Sequence, residues 1–289
     1  MEKHLKTRRG IAPHFYPGDC AGQIEEFLLA FQPPAEPAQP IGGIVPHAGW
    51  AFSGAVAAKV IASLRPARPD AFVIFGAVHQ WGVSEGAVYP AGAWNTPLGP
   101  VEIDSDLATL LLDACPDYLQ PDADAHSREH SIEVQVPMIK YLHPRARIVP
   151  IAMPPSPNAA AAGAAVGAAL AQSGRRVAVL GSTDLTHYGR NYDFAPWGGG
   201  EEALQKMRQN DRRFIDLALQ FRAGEVVAEA RANSNACGSG AAAALIAAAT
   251  ALGATKATLV EYTTSHDVMR EPPRTFDMAV GYAGILFGK

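Results

Sequence analysis

Four short apolar runs, each closed by a polar turn, limit most strongly what this chain can fold into. They are residues 41–45, 71–75, 147–152 and 177–180. Each has the length of a buried strand, and helical sequence follows three of them, at residues 54–64, 158–172 and 201–219. Strands that are apolar throughout need cover on both faces, and helices returning between them supply it. The expected fold class is therefore α/β, a mostly parallel central sheet flanked by helices on both faces. A shorter pair, residues 86–89 and 99–103, lies between Pro and Gly turns and reads as a hairpin at the sheet edge. Residues 255–263 and 278–287 read as two further strands.

The chain has 289 residues, 48% of them hydrophobic, which is ample for one large core. Residues 31–40 carry four prolines and can be neither a regular helix nor a central strand. They separate an N-terminal arm, 1–40, from a body with no repeat period and no second linker, so a single domain over 1–289 is expected. The most apolar windows, 159–170 and 236–252, are rich in Ala and Gly and read as packed helices rather than membrane spans. The basic N-terminus leads into no apolar segment of a secretory signal, which makes the cytoplasm the expected location. A net charge of −4 without a block of like charge argues against a nucleic-acid partner. Cys20, Cys115 and Cys237 are far apart and odd in number, so each is judged as a core thiol, a ligand or a nucleophile.

In open α/β sheets, ligands bind beyond the carboxyl ends of the strands. Three of the apolar runs end there in polar clusters. Residues 41–45 lead into Pro46-His47-Ala48-Gly49-Trp50, and residues 71–75 into Gly76-Ala77-Val78-His79-Gln80. Residues 177–180 lead into Gly181-Ser182-Thr183-Asp184-Leu185-Thr186-His187-Tyr188-Gly189. One histidine after a strand is most often an ordinary hydrogen-bonded loop residue. Three histidines and an aspartate at equivalent strand ends point to one shared site. Cys237 lies in the turn that opens the apolar helix 240–252, where the positive dipole end favours thiolate. Its plain reading is a small buried residue capping that helix. Residues 122–130 cluster His and acids ahead of an amphipathic stretch, 131–142. Glu129 and Glu133, four apart, share a face if the helix starts that early, with a charged helix start as the alternative reading. On the functional reading, His130 or Glu133 orients metal-binding imidazoles through their free N–H. Trp50, Phe52, Trp81 and Tyr188 are the candidate pocket rim for a planar ligand, with ordinary packing as the alternative.

Taken in order, these segments resemble the Memo family, including the bacterial members called AmmeMemoRadiSam system protein B. The resemblance rests on His14-Phe15-Tyr16-Pro17, Pro46-His47-Ala48-Gly49-Trp50 with Ser53-Gly54, and Gly76 through His79. It continues through Glu129-His130-Ser131-Ile132-Glu133, Ser182 through Gly189, and Cys237-Gly238. It implies a fold shared with the class III extradiol dioxygenases, a non-haem iron group. It also implies metal ligands at His47, His79 and Cys237, with Asp184 and His187 beside them and His187 resembling the acid/base of those enzymes. Animal members are described as signalling adaptors and metal handlers. Bacterial members occur with a radical-SAM protein and an AMMECR1-like partner. The chain departs from the family pattern at Gln80, where a second histidine is common, and at His14, which is additional.

Two imidazoles and one anionic ligand leave open positions on iron(II), the arrangement oxygenases use. The leading expectation is thus a non-haem Fe(II) site oxidising a small, aromatic substrate, with His187 as acid/base and Asp184 orienting it. A thiolate is softer than a carboxylate and favours copper or zinc. That keeps three alternatives in play: a zinc-dependent hydrolase, a metal-binding or partner-binding module without turnover, and a metal-free cysteine nucleophile.

Overall fold

The computed structural model describes residues 7–269 and 275–289. Nine strands build the main sheet: β1 (Pro40–Val45), β2 (Ala71–Gly76), β3 (Gly86–Val88), β4 (Leu119–Pro121), β5 (Arg147–Ala152), β6 (Val177–Ser182), β7 (His187–Tyr188), β8 (Lys256–Thr264) and β9 (Ala279–Gly288). The apolar runs form the centre, where β1, β6, β2 and β5 lie side by side and parallel. Each flank meets this centre through an antiparallel pair, and β3 and β4 are parallel to each other. β3 runs against β5 and carries β4 outside it, while β9 runs against β1 and pairs with β8 and, at its start, with β7. The parallel arrangement is therefore confined to the strands joined by helices.

The expected hairpin does not form. Residues 86–88 join the main sheet, whereas Val101–Glu102 pairs with Ala93–Trp94 in a separate small sheet that also holds Thr7–Arg8. The intervening residues 89–92 turn the chain away before it can fold back on β3.

Eight helices bear on the argument: α1 (Cys20–Leu28), α2 (Trp50–Ser63), α3 (Ser105–Ala114), α4 (Val136–Leu142), α5 (Ala159–Gln172), α6 (Glu201–Leu219), α7 (Ala223–Asn233) and α8 (Ser239–Ala251). Successive side chains of a strand point to opposite faces, and β2 displays this directly. Phe72 and Ile74 join Ile24, Ile61 and Ile139 of α1, α2 and α4. Val73 and Phe75 join Leu111, Val166 and Leu245 of α3, α5 and α8 on the other side. Both faces are covered, as continuously apolar strands require. The Ala- and Gly-rich windows let α5 and α8 approach closely: a Cβ at Gly163 would lie 2.1 Å from the Ala244 carbonyl oxygen. Among the described residues no helix is long and apolar enough to cross a membrane.

One consequence governs the rest. Because β1, β2 and β6 are parallel neighbours in a single layer, the residues that leave their carboxyl ends emerge on one edge of the sheet.

Candidate metal centre

His47 leaves β1, His79 leaves β2, and His130 sits in the loop before α4. Each offers a ring nitrogen, and the three donor atoms lie within 4.8 Å of one another. The rings of His79 and His130 stack at 5.0 Å, and that of His47 meets both edge-on at 5.2 and 5.6 Å. His130, expected only to support the ligands, is thus a member of the group itself.

The remote nitrogens are fixed. Ser182 donates its hydroxyl to the Ser131 carbonyl at 2.8 Å, so at 2.9 Å it accepts the Nδ1–H of His47. That leaves His47 Nε2 as the acceptor nitrogen. His79 Nδ1 faces both carboxylate oxygens of Glu129 at 3.1 Å, and the His79 backbone N–H donates to the same carboxylate at 2.8 Å. A carboxylate behind an imidazole holds its orientation and raises its basicity as a ligand. Burial lowers the His79 pKa, but the Glu129 hydrogen bond and charge outweigh it and the net shift is upward. Glu129 itself is held well below the usual carboxylate range, since its bonds to His79 and to the Ser131 N–H overcome the cost of burial. Burial pushes His47 well down, helped by the neighbouring imidazoles, and lowers His130 and His187 as well. Neutral imidazole is the ligand form, so the downward shifts of His47 and His130 favour metal binding, while the upward shift of His79 opposes it.

Cys237 approaches from the other side. Its S–H donates to His47 Nε2 at 3.2 Å, with the Asp184 carbonyl more distant at 3.7 Å. The thiolate expected from the helix start is not the resting form. Burial, followed by the nearby Asp184 charge, pushes the thiol far up, and this outweighs the helix dipole. Asp184 is also placed differently from the expectation. Its Oδ1 accepts the backbone N–H of His47 at 2.7 Å and of Ala48 at 3.3 Å, rather than orienting His187. Burial pushes its carboxyl up to about 7 despite those donors. The His187 ring instead donates Nδ1–H to the Leu185 carbonyl at 3.1 Å, leaving Nε2 free.

Glu129 and Glu133 do not share a helix face, because the helix α4 begins only after both, at Val136. The chain turns between them and sends them apart. Glu133 pins the N-terminal arm, accepting from Arg8 at 2.6 Å, from the backbone of Ile11 and Ala12 at 2.9 Å each, and from the Tyr16 hydroxyl at 2.9 Å. It touches no imidazole of the group. Glu129 takes the supporting role expected of Glu133, and its adjacency to His130 was the signal available in the sequence.

A cavity of about 380 Å³ opens beside the cluster, with His130, Asp184 and His187 at its polar end. None of the three aromatics Trp50, Trp81 and Tyr188 lines it. Trp50 is buried and donates its indole N–H to the Val134 carbonyl at 2.9 Å. Tyr188 is buried against Trp197 and donates to the Gly198 carbonyl at 3.0 Å. Trp81 stands fully in solvent. Phe52 does line the cavity, together with Phe15 of the His14-Phe15-Tyr16-Pro17 motif and with Tyr192 and Tyr282, which no local motif marked out. His14 is exposed, and Gln80 donates to the Ala125 carbonyl at 3.1 Å, away from the three imidazoles.

A second buried carboxylate braces the site from behind. Asp211 on α6 accepts the Thr186 N–H at 2.8 Å and the Tyr262 hydroxyl at 2.7 Å. Its neighbour Asn210 donates to Thr186 Oγ1 at 3.1 Å and to the Asn233 carbonyl at 2.8 Å, while Asn235 donates to the Asn210 carbonyl at 2.9 Å. One turn of α6 therefore ties the His187 segment to the Cys237 turn.

Comparison with known proteins gives the family. A family model described as Memo-like protein matches residues 9–286. A MEMO1 family protein of Thermococcus onnurineus is 36% identical, over 96% of this chain and 98% of that relative. One from Pyrobaculum arsenaticum is 35% identical, over 98% and 99%. Among solved structures, the uncharacterized protein JW3007 from Escherichia coli K12 shares the fold, with a TM-score of 0.50 at 13% identity over 86% of this chain and all of that one. The chain belongs to the Memo-like family.

Proposed function

We propose that the chain is a non-haem metalloenzyme that holds iron(II) through His47, His79 and Cys237 and oxidises a small aromatic substrate with oxygen. The observation that carries this reading is the S–H···Nε2 contact of 3.2 Å between Cys237 and His47. Two donor atoms share one proton there, and a cation that replaces the proton gains both as ligands. The donor set fits such a cation: His47 and His79 have their remote nitrogens fixed by Ser182 and Glu129, so their lone pairs stay directed into the site. Bound iron(II) would supply Lewis acidity and one-electron chemistry toward oxygen and substrate.

The chain's own residues do the rest. His130, Asp184 and His187 face the cavity, where substrate would lie. His187 Nε2 is free because Nδ1 is committed to Leu185, and a neutral imidazole so placed takes a substrate hydroxyl proton and returns it. Phe15 and Tyr192 set their rings against the His130 and His187 rings at 4.6 and 5.1 Å, which limits water at the polar end and suits a flat ligand.

Protein purified without oxygen tests the reading by its metal content and by oxygen uptake on addition of catechols. About one equivalent of iron together with uptake is expected. Zinc held tightly without uptake would overturn it. A second reading has its own support, because three imidazoles within 4.8 Å also form the donor set of catalytic zinc sites. On that reading the site activates water, and hydrolysis without oxygen consumption is its signature. Copper(I) held by the soft sulfur, with no turnover of either kind, would mark a metal-binding module instead.

A further inference from the structure

Two kinds of side chain line the cavity beside the metal site. His130, Asp184 and His187 are its imidazole and carboxyl groups. Most of the remaining lining is apolar, and part of it consists of side chains that folding normally hides. Phe52 is 37% exposed, Tyr192 42%, Met269 48% and Met278 45%. Among the described residues, these four account for half of the eight large hydrophobics that remain exposed, and all four line this one cavity. Scattered apolar side chains on a surface need no explanation, but a ring of them around one opening does. Two of the four are methionines, whose unbranched, polarisable side chains adapt to ligands of different shape.

We infer that the substrate is amphipathic: an aromatic ring whose polar edge lies against His130 and His187, with an apolar substituent reaching outward to Phe52, Met269 and Met278. This rests on the reading of the site as one for a small aromatic molecule, and it narrows that class to rings bearing an alkyl or similar apolar arm. A volume of about 380 Å³ holds a ring with a short arm and lies within the range of small-ligand pockets, roughly 300–1,000 Å³. A ring with a carboxylate at the same position would set its charge among thioethers and aromatic rings, without the hydration it has in water. The adaptable methionines predict tolerance of arm shape but not of arm charge.

The experiment is titration calorimetry without oxygen on the full chain, both iron-loaded and metal-free. The loaded protein is titrated with catechol, 4-methylcatechol, 4-butylcatechol and 3,4-dihydroxybenzoate, and the metal-free protein with phenol and 4-butylphenol. Each methylene buried against the rim should tighten binding by up to roughly fourfold, so that 4-butylcatechol binds at least about tenfold tighter than catechol. Dihydroxybenzoate should bind most weakly. The paired substitutions Met269→Glu and Met278→Glu lie at the exposed mouth and should flatten the alkyl series, bringing the ratio of 4-butylcatechol to catechol affinity toward one. An alkyl series already flat in the unsubstituted protein, or dihydroxybenzoate as the tightest ligand, would overturn the inference. Failure of the oxygenase reading looks different: oxygen uptake would be absent, yet the preference for 4-butylphenol over phenol would persist in metal-free protein.

Discussion

His47 stands between two unlike neighbourhoods. On one side, His79, Glu129 and His130 form a wall joined by charge and hydrogen bonds, and the His79 side chain keeps 35% of its surface open. On the other, Asp184 is buried and Cys237 half-buried, and both hold their protons more tightly than usual. In the first wall, the Glu129 carboxylate raises the pKa of His79, while that of His130 is lowered. The second has to release the Cys237 proton before the sulfur can bind a cation. A site built this way should bind metal in a manner that depends on pH chiefly through its buried half, and the two halves can be separated by mutation.

The largest effect should come from the residue common to both. His47→Ala removes the only donor that touches each wall, and metal affinity should fall by roughly a thousandfold or more in a chelator competition. Next comes a control that resembles a site mutation but is not one. Glu133→Gln breaks the buried pair with Arg8 and weakens the anchor of the N-terminal arm. Denaturation should show a loss of about 3 kcal/mol, with metal affinity per folded molecule unchanged. Glu129→Gln, four residues earlier, should do the reverse: about 10- to 100-fold weaker metal binding through a poorly held His79, with a smaller loss of stability.

Legibility in the sequence divides along similar lines. The parallel core was readable because residues 71–75 and 177–180 are apolar without interruption, and such strands have few other homes. The strand ends were readable for the same reason, which is why His47, His79 and Asp184 could be assigned to one edge in advance. The partners of the carboxylates were not. Glu129 and Glu133 look equivalent at four-residue spacing, and only the late start of α4 sends one to His79 and the other to Arg8. The rim was equally hidden, because Tyr192 lies far in sequence from Met269 and Met278 and only the fold brings them to one cavity. Tyr188 and Trp50 were tempting for the opposite reason: they adjoin His187 and the His47 motif in sequence, yet each points its polar atom at a backbone carbonyl inside the protein.

The smallest of the expected effects concerns the brace behind the buried wall. Asp211 is pushed up to about 7 in the folded protein, chiefly by burial, from an ordinary value of 3.8. A folded-state pKa raised in this way contributes stability that is complete below 3.8 and is lost as pH rises through about 7. Asparagine keeps an acceptor for the Thr186 N–H and does not titrate. The stability of Asp211→Asn relative to the unaltered chain should therefore improve between pH 5 and 7, at roughly 1 kcal/mol per pH unit, in melts run across that window. A difference that stays constant with pH would show that the carboxyl is not held neutral.

Which neighbourhood supplies the third ligand is the sharpest question, and cobalt(II) substitution answers it. Thiolate bound to cobalt absorbs strongly in the near ultraviolet, and imidazole does not. This band should appear in the unaltered protein, persist in His130→Ala and be lost in Cys237→Ser. An unaltered protein that binds cobalt without the band, and loses the metal in His130→Ala, would contradict it and assign the site to His47, His79 and His130 alone.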